Sequence, residues 1–134
     1  MKYAVTRLIH FCYGHRLLDY KGKCRNLHGH NGVVEITLQS GKLDRLGMVM
    51  DFEKIKTTVQ SWVDLELDHK MILNEKDPIA PALKRLGQPM LLIRSNPTAE
   101  AIARLIAGYA KSRRLPVASV RLWETPNSYA ECSG

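Results

Sequence analysis

At 134 residues the chain is sized for one domain, expected to span residues 1–134, and a hydrophobic share of 45% suits a globular core. No stretch approaches the ~18 apolar residues of a membrane span, and Met1 to Val5 open no apolar signal segment, so no membrane association and a cytoplasmic location are expected. The formal charge of +7 points to an anionic small substrate rather than nucleic acid, because only Lys111, Arg113 and Arg114 cluster and no nucleic-acid-binding motif accompanies them.

Taken in order, Tyr3, Val5, Thr6, Leu8, Ile9 and Phe11 predict a first strand over 3–11. Residues 12 to 27, with two glycines and many charges, read as a loop carrying His15 near its start. From His30 to Ser40, Val34, Ile36 and Leu38 alternate with Glu35, Thr37 and Gln39, the pattern of a half-buried strand. His28 and His30 share the parity of the apolar set and are expected on the covered face, unless Gly32 hosts a bulge. Asp51 is the expected N-cap of a helix whose apolar stripe is Phe52, Ile55, Val59, Trp62 and Val63.

Residues 74–89 read as a loop with a helical turn near Ala82 to Leu86, and Met90 to Ile93 as a brief strand or a buried connection. A second helix is expected after Asn96, with Pro97 at its first position and Ile102, Ile106 and Tyr109 on its buried stripe. Val117 to Glu124 predicts a strand with Val120, Leu122 and Glu124 on one face, and a short last strand is expected around Tyr129 to Cys132. A carboxylate extending an apolar face needs a partner. Glu124 therefore reads as a recognition group for a ring rich in N–H donors, or as a strand end in water.

The chemistry concentrates in Cys24-Arg25-Asn26-Leu27-His28-Gly29-His30. Residues i and i+2 of a strand face the same way, so His28 and His30 aim at one point, and His15 lies upstream as a third imidazole. Three imidazoles with a fourth position open make a catalytic metal site, for which zinc is favoured, although copper, iron and nickel accept the same ligands. Cys24 reads as a fourth ligand, a nucleophile or a base, since a thiolate beside a cation has a lowered pKa. Cys12, Cys24 and Cys132 are odd in number and irregularly spaced, so free thiols are expected. In Leu67-Asp68-His69, His69 is the candidate general base; adjacent side chains on extended backbone diverge, so Asp68 need not orient it directly, and Asp68 reads either as polarising His69 or as joining Cys24 through a network.

Cys24-x-x-x-His28-Gly29-His30, His15, Leu67-Asp68-His69, Asn96-Pro97-Thr98-Ala99-Glu100 and Trp123-Glu124-Thr125-Pro126 occur in an order that resembles the 6-pyruvoyl-tetrahydropterin synthase superfamily. Within it the pattern is most similar to the bacterial 6-carboxytetrahydropterin synthase branch of the queuosine pathway. The resemblance implies an α+β tunnelling fold, a four-stranded antiparallel sheet covered on one face by two helices in the order ββααββ. It implies trimers stacked as a homohexamer, with active sites at subunit interfaces.

By the same resemblance His15, His28 and His30 are zinc ligands, and Cys24 is the proton acceptor, supported by Asp68 and His69. Glu124 anchors the pterin and shares in the proton relay, and Thr98 lies near the pterin of a neighbouring subunit. The implied reaction takes 7,8-dihydroneopterin triphosphate and water to 6-carboxy-5,6,7,8-tetrahydropterin, acetaldehyde and triphosphate. The rivals are 6-pyruvoyl-tetrahydropterin synthesis from the same substrate and, from another class, a non-catalytic basic protein that binds metal or nucleic acid. Two departures stand out. Phe11-Cys12-Tyr13-Gly14 replaces the smaller residues usual before the first histidine, and Ala101 stands where Asn is frequent.

Overall fold

The structure, a computed structural model, describes all 134 residues. Its backbone is a six-stranded sheet in the order β4-β3-β1-β2-β5-β6. Two long strands, β1 (Tyr3–His15) and β2 (His28–Ser40), pair antiparallel from Tyr3↔Ser40 to His15↔His28 with no break in register. No bulge forms at Gly32, so the parity expected for His28 and His30 holds. β5 (Val117–Thr125) adds antiparallel to β2, and β6 (Ser128–Ser133) antiparallel to β5.

On the other side, β3 (Lys70–Asn74) pairs parallel with β1, and β4 (Met90–Ile93) parallel with β3. The sheet is therefore mixed and has six strands, not four antiparallel ones, and the ββααββ order is corrected by the insertion of β3, a short helix and β4 between the two main helices. The cause is legible in the residues. Ile72 and Leu73 are both buried although they point to opposite faces. A parallel strand covered on both sides shows no alternation, so Met71-Ile72-Leu73 carries no periodic signal. The first strand also runs four residues further than expected and carries His15 as its last residue.

One face of the sheet is covered by two helical rods. The first runs through α1 (Phe52–Ile55), a π-helical turn (Lys56–Gln60) and α2 (Ser61–Glu66), and Asp51 caps it by accepting from the Glu53 N–H. Ile55, Val59, Val63 and Leu67 are fully buried at strict four-residue steps. Such steps drift by about 40° each in a regular α-helix, and the wider π turn takes back part of that drift. Phe52, expected in this stripe, is instead half-exposed as the first helical residue, lining an open apolar hollow with Tyr3 to Val5 of β1.

After α3 (Ala80–Arg85), the second rod is α4 (Ala99–Ser112), which buries Ile102, Ala103, Ile106, Ala107 and Ala110. Trp62 and Tyr109 stack between the rods at 4.4 Å. Pro97 is not the first helical residue. Thr98 is the N-cap, accepting from the Ala101 N–H, which leaves the Pro97 carbonyl free to point elsewhere.

A buried ion pair fixes the chain just past β1. Arg16 donates through Nε to Asp77 Oδ2 at 2.7 Å and through its second nitrogen to Asp77 Oδ1. Asp77 has no exposed side-chain surface. The Arg16 bonds hold its carboxyl below the ordinary carboxylate value of 3.8, against the opposing effect of burial. A group with a depressed folded pKa stabilises the fold above its unfolded value and loses that contribution as pH falls through the folded one. Arg16→Ala strands the carboxylate and should cost about 3–5 kcal/mol in denaturant unfolding at neutral pH. The deficit relative to the parent should shrink below pH 3.8 as Asp77 takes up its proton.

Candidate metal centre

The core-facing residues at one end of β1 and β2 are histidines. His15 closes β1, His28 opens β2 directly opposite it, and His30 follows two residues on. Their ligand atoms all lie within 4.8 Å of one another. Backbone carbonyls fix two of the rings. His15 Nδ1–H donates to the Pro97 carbonyl at 2.6 Å, and His28 Nδ1–H donates to the Asn26 carbonyl at 2.7 Å. Each bond sets the tautomer that turns the Nε2 lone pair inward, as a metal ligand requires. The Nε2 atoms of His15 and His30 stand 3.1 Å apart. Two nitrogens each 2.0–2.1 Å from one tetrahedral ion are separated by about 3.3 Å, so the pair is spaced for a shared cation.

Burial is the main influence holding the His15 pKa below 6.5, with the neighbouring imidazoles reinforcing it. A neutral ring is the form that binds a metal. Glu124 completes the cluster, its Oε2 3.0 Å from His30 Nε2 and 3.4 Å from His15 Nε2. The reading of Glu124 as a carboxylate on the covered face is correct, and its partners are the histidines.

Asp68 and His69 lie elsewhere, beside Cys12 and Asn31 on the opposite, uncovered face of the sheet. Asp68 Oδ1 accepts from the Cys12 N–H at 2.9 Å, and the His69 N–H donates to the Cys12 carbonyl at 2.7 Å. His69 Nδ1 is 2.8 Å from Asp68 Oδ2. The expected divergence of these neighbours is corrected: His69 adopts a left-handed backbone with φ of 59°, which swings its ring back onto the preceding carboxylate. Burial opposes ionisation of Asp68, but the Cys12 and His69 bonds outweigh it and keep its pKa below 3.8. The ring of His69 is largely exposed, at 78%.

Cys24 sits half-buried in a 3₁₀ turn (Lys23–Arg25), its carbonyl accepting from the Leu17 N–H at 2.8 Å. His69 is tied to residue 12 and Cys24 to residue 17. Those anchor points are different residues of the chain, and Cys24 shares no hydrogen bond with Asp68 or His69.

The sequence reading missed the work done by Asn96 and Pro97. Asn96 Oδ1 accepts from the Leu18 N–H at 3.0 Å and its Nδ2 donates to the Leu18 carbonyl at 2.9 Å, clamping the segment after His15 to the start of α4. The Pro97 carbonyl orients His15. Asn-Pro-Thr was the available signal: clamp, ring holder and helix cap in three consecutive residues.

The site predicts that His15→Ala, His28→Ala and His30→Ala will each lower affinity for divalent metal by at least about tenfold. Each variant should keep the parent's circular dichroism. Chelator competition on the three variants is the check.

A sequence model of the 6-pyruvoyl tetrahydropterin synthase family matches residues 4–134. The 6-carboxy-5,6,7,8-tetrahydropterin synthase of Rickettsia typhi is 40% identical over 133 residues, covering 94% of this chain and 96% of that protein. Among solved structures, an uncharacterized protein of Wolinella succinogenes superposes with a TM-score of 0.82 at 26% identity, covering 100% of this chain and 99% of that one. The 6-pyruvoyl tetrahydropterin synthase of Caenorhabditis elegans gives 0.74 at 26% identity, covering 100% and 96%. With a family match over nearly its full length and a histidine cluster at the paired strand ends, the chain belongs to the 6-pyruvoyl tetrahydropterin synthase family of enzymes.

Proposed function

We propose that this chain is a zinc-dependent lyase that converts 7,8-dihydroneopterin triphosphate and water to 6-carboxy-5,6,7,8-tetrahydropterin, acetaldehyde and triphosphate, within 7-deazaguanine (queuosine) biosynthesis. The observation that carries the reading is the convergence of His15, His28 and His30 with the Glu124 carboxylate beside them. The 40% identical Rickettsia typhi relative bears the name of the carboxy-forming enzyme, which favours that product over a retained three-carbon side chain. The donor set fits zinc, and the ion when bound supplies Lewis acidity toward side-chain oxygens of the substrate.

The chain's own groups have distinct duties in this scheme. Glu124 accepts hydrogen bonds from the N–H edge of the pterin. Cys24, which shares no hydrogen bond with the histidines, takes and returns protons as thiolate and thiol. His69, held by Asp68, is the partner base. Thr98 contributes at the edge of a neighbouring pterin site while its oxygen caps α4.

We place the relay between subunits, because Cys24 and His69 share no hydrogen bond and are tied to different residues of the chain, Leu17 and Cys12. The uncovered sheet face favours assembly: Leu8, Val33, Trp123 and Tyr129 lie on it, with Leu8 and Tyr129 exposed. A hexamer built from two trimers accommodates such sites. The net charge of +7 suits a triphosphate substrate. No helix is long and apolar enough to cross a membrane. The setting we propose is the cytoplasm.

Incubating the zinc-loaded protein with dihydroneopterin triphosphate should release acetaldehyde and a 6-carboxy pterin; a product that keeps all three side-chain carbons would make it a pyruvoyl-forming enzyme. Cys24→Ala should abolish turnover and leave zinc content near the parent's. For sites shared between chains, inactive Cys24→Ala and His69→Ala subunits mixed one to one should regain about a quarter of parental activity, and no recovery would place the relay within one chain.

A further inference from the structure

The proposed reaction leaves Tyr13 without a task, yet its hydroxyl is the one buried side-chain polar atom that lacks a hydrogen-bond partner. Leaving such a group unpaired is costly. The residue is only 3% exposed. Its ring stacks on Phe11 at 5.0 Å and flanks the rings of His15 and His30 at 5.3 and 5.5 Å. It lies over Gly32, where an added Cβ would stand 3.0 Å from Tyr13 Cε1.

Gly32 is on β2, between β1 and β5. One step beyond the Val33↔Trp123 pair, the neighbouring position on β5 is Glu124. The missing side chain thus opens a lane across β2 along which a β1 phenol reaches toward a β5 carboxylate. After burial itself, the charge of Glu124 is the second influence that pushes the phenol pKa up, which puts the carboxylate within electrostatic reach of the ring.

Glu124 has its own difficulty. His15 gives its Nδ1–H to Pro97, so in the 3.1 Å contact between the His15 and His30 Nε2 atoms the donor is His30, and Glu124 Oε2 lies 3.0 Å from the same nitrogen. Once the three lone pairs converge on a cation, that nitrogen offers no proton. Ligation of the ion by the carboxylate would close the position that a catalytic site keeps open, and the one buried side-chain polar atom without a partner is the Tyr13 hydroxyl.

We propose that Tyr13 is the positioning residue for Glu124: once a divalent cation sits on the three imidazoles, the carboxylate leaves the His15–His30 edge and accepts a hydrogen bond from the Tyr13 hydroxyl. This rests on the metal-centre reading above and adds what keeps the pterin anchor off the ion. Tyr13 also explains its own departure from the small residues usual at this position in the family pattern. It is a donor gained where a small side chain offers none.

A contact made only in the loaded state contributes to metal affinity. Zinc affinities of the parent, Tyr13→Phe, Glu124→Ala and the double variant, measured by competition with a chromophoric chelator, form the test. Tyr13→Phe should weaken zinc binding about tenfold while Glu124 is present, the scale of a hydrogen bond to a charged group. In the Glu124→Ala background it should change affinity by less than about twofold. The metal-free Tyr13→Phe protein should melt at or above the parent temperature, because the unpaired hydroxyl is gone and the ring remains. Equal weakening in both backgrounds, or no weakening in the parent, overturns the inference. Failure of the parent itself to bind zinc refutes the metal-centre reading instead.

Discussion

The structure depends on the unbroken ladder between β1 and β2. Thirteen residues on each strand pair from Tyr3↔Ser40 to His15↔His28, and no bulge interrupts them. A slip of one residue would send every side chain to the other face. The register that puts Ile9, Phe11, Val34, Ile36 and Leu38 in the core therefore also puts His15, His28 and His30 on one side of one end. Hydrophobic burial along the strands holds the geometry of the polar cluster at their tip.

Around that tip the protein spends polar groups on orientation. The Asn96 clamp, the Pro97 carbonyl and the Thr98 cap come from the start of α4, and the Asn26 carbonyl comes from the turn before β2. The Arg16–Asp77 pair pins the next residue after His15. Two of the imidazoles, His15 and His28, are fixed by backbone carbonyls, which cannot themselves take part in proton transfer. Preorganisation of this kind lowers the cost of assembling a metal site. The Asp68–His69 pair is tied to Cys12 on the far side of the same strand, so β1 carries a histidine of the cluster on one face and holds that pair against the other.

Much of this was legible in the residues. Alternation in Val34, Ile36 and Leu38 carried the parity of His28 and His30, and Asp51 with an apolar stripe at three- and four-residue steps marked the first rod. Glu124 stood out as a carboxylate in register with Val120 and Leu122. Other features left no local trace. β3 is short and buried on both faces, so periodicity is silent there, whereas the apolar run Met90 to Ile93, read as a brief strand or a buried connection, is the strand β4. The Asp68–His69 contact depends on one left-handed backbone angle at a residue that is not glycine. The separate anchoring of Cys24 to Leu17 and of His69 to Cys12 is a property of tertiary structure, invisible in the motifs that carry them. The orphaned Tyr13 hydroxyl is defined by what surrounds it, and nothing in Phe11-Cys12-Tyr13-Gly14-His15 announces it.

X-ray absorption at the zinc edge of the loaded protein tests the central claim most directly. The account predicts three imidazole nitrogens at about 2.0–2.1 Å with one further light-atom neighbour and no sulfur. A sulfur shell near 2.3 Å, or fewer than three imidazoles, would contradict it.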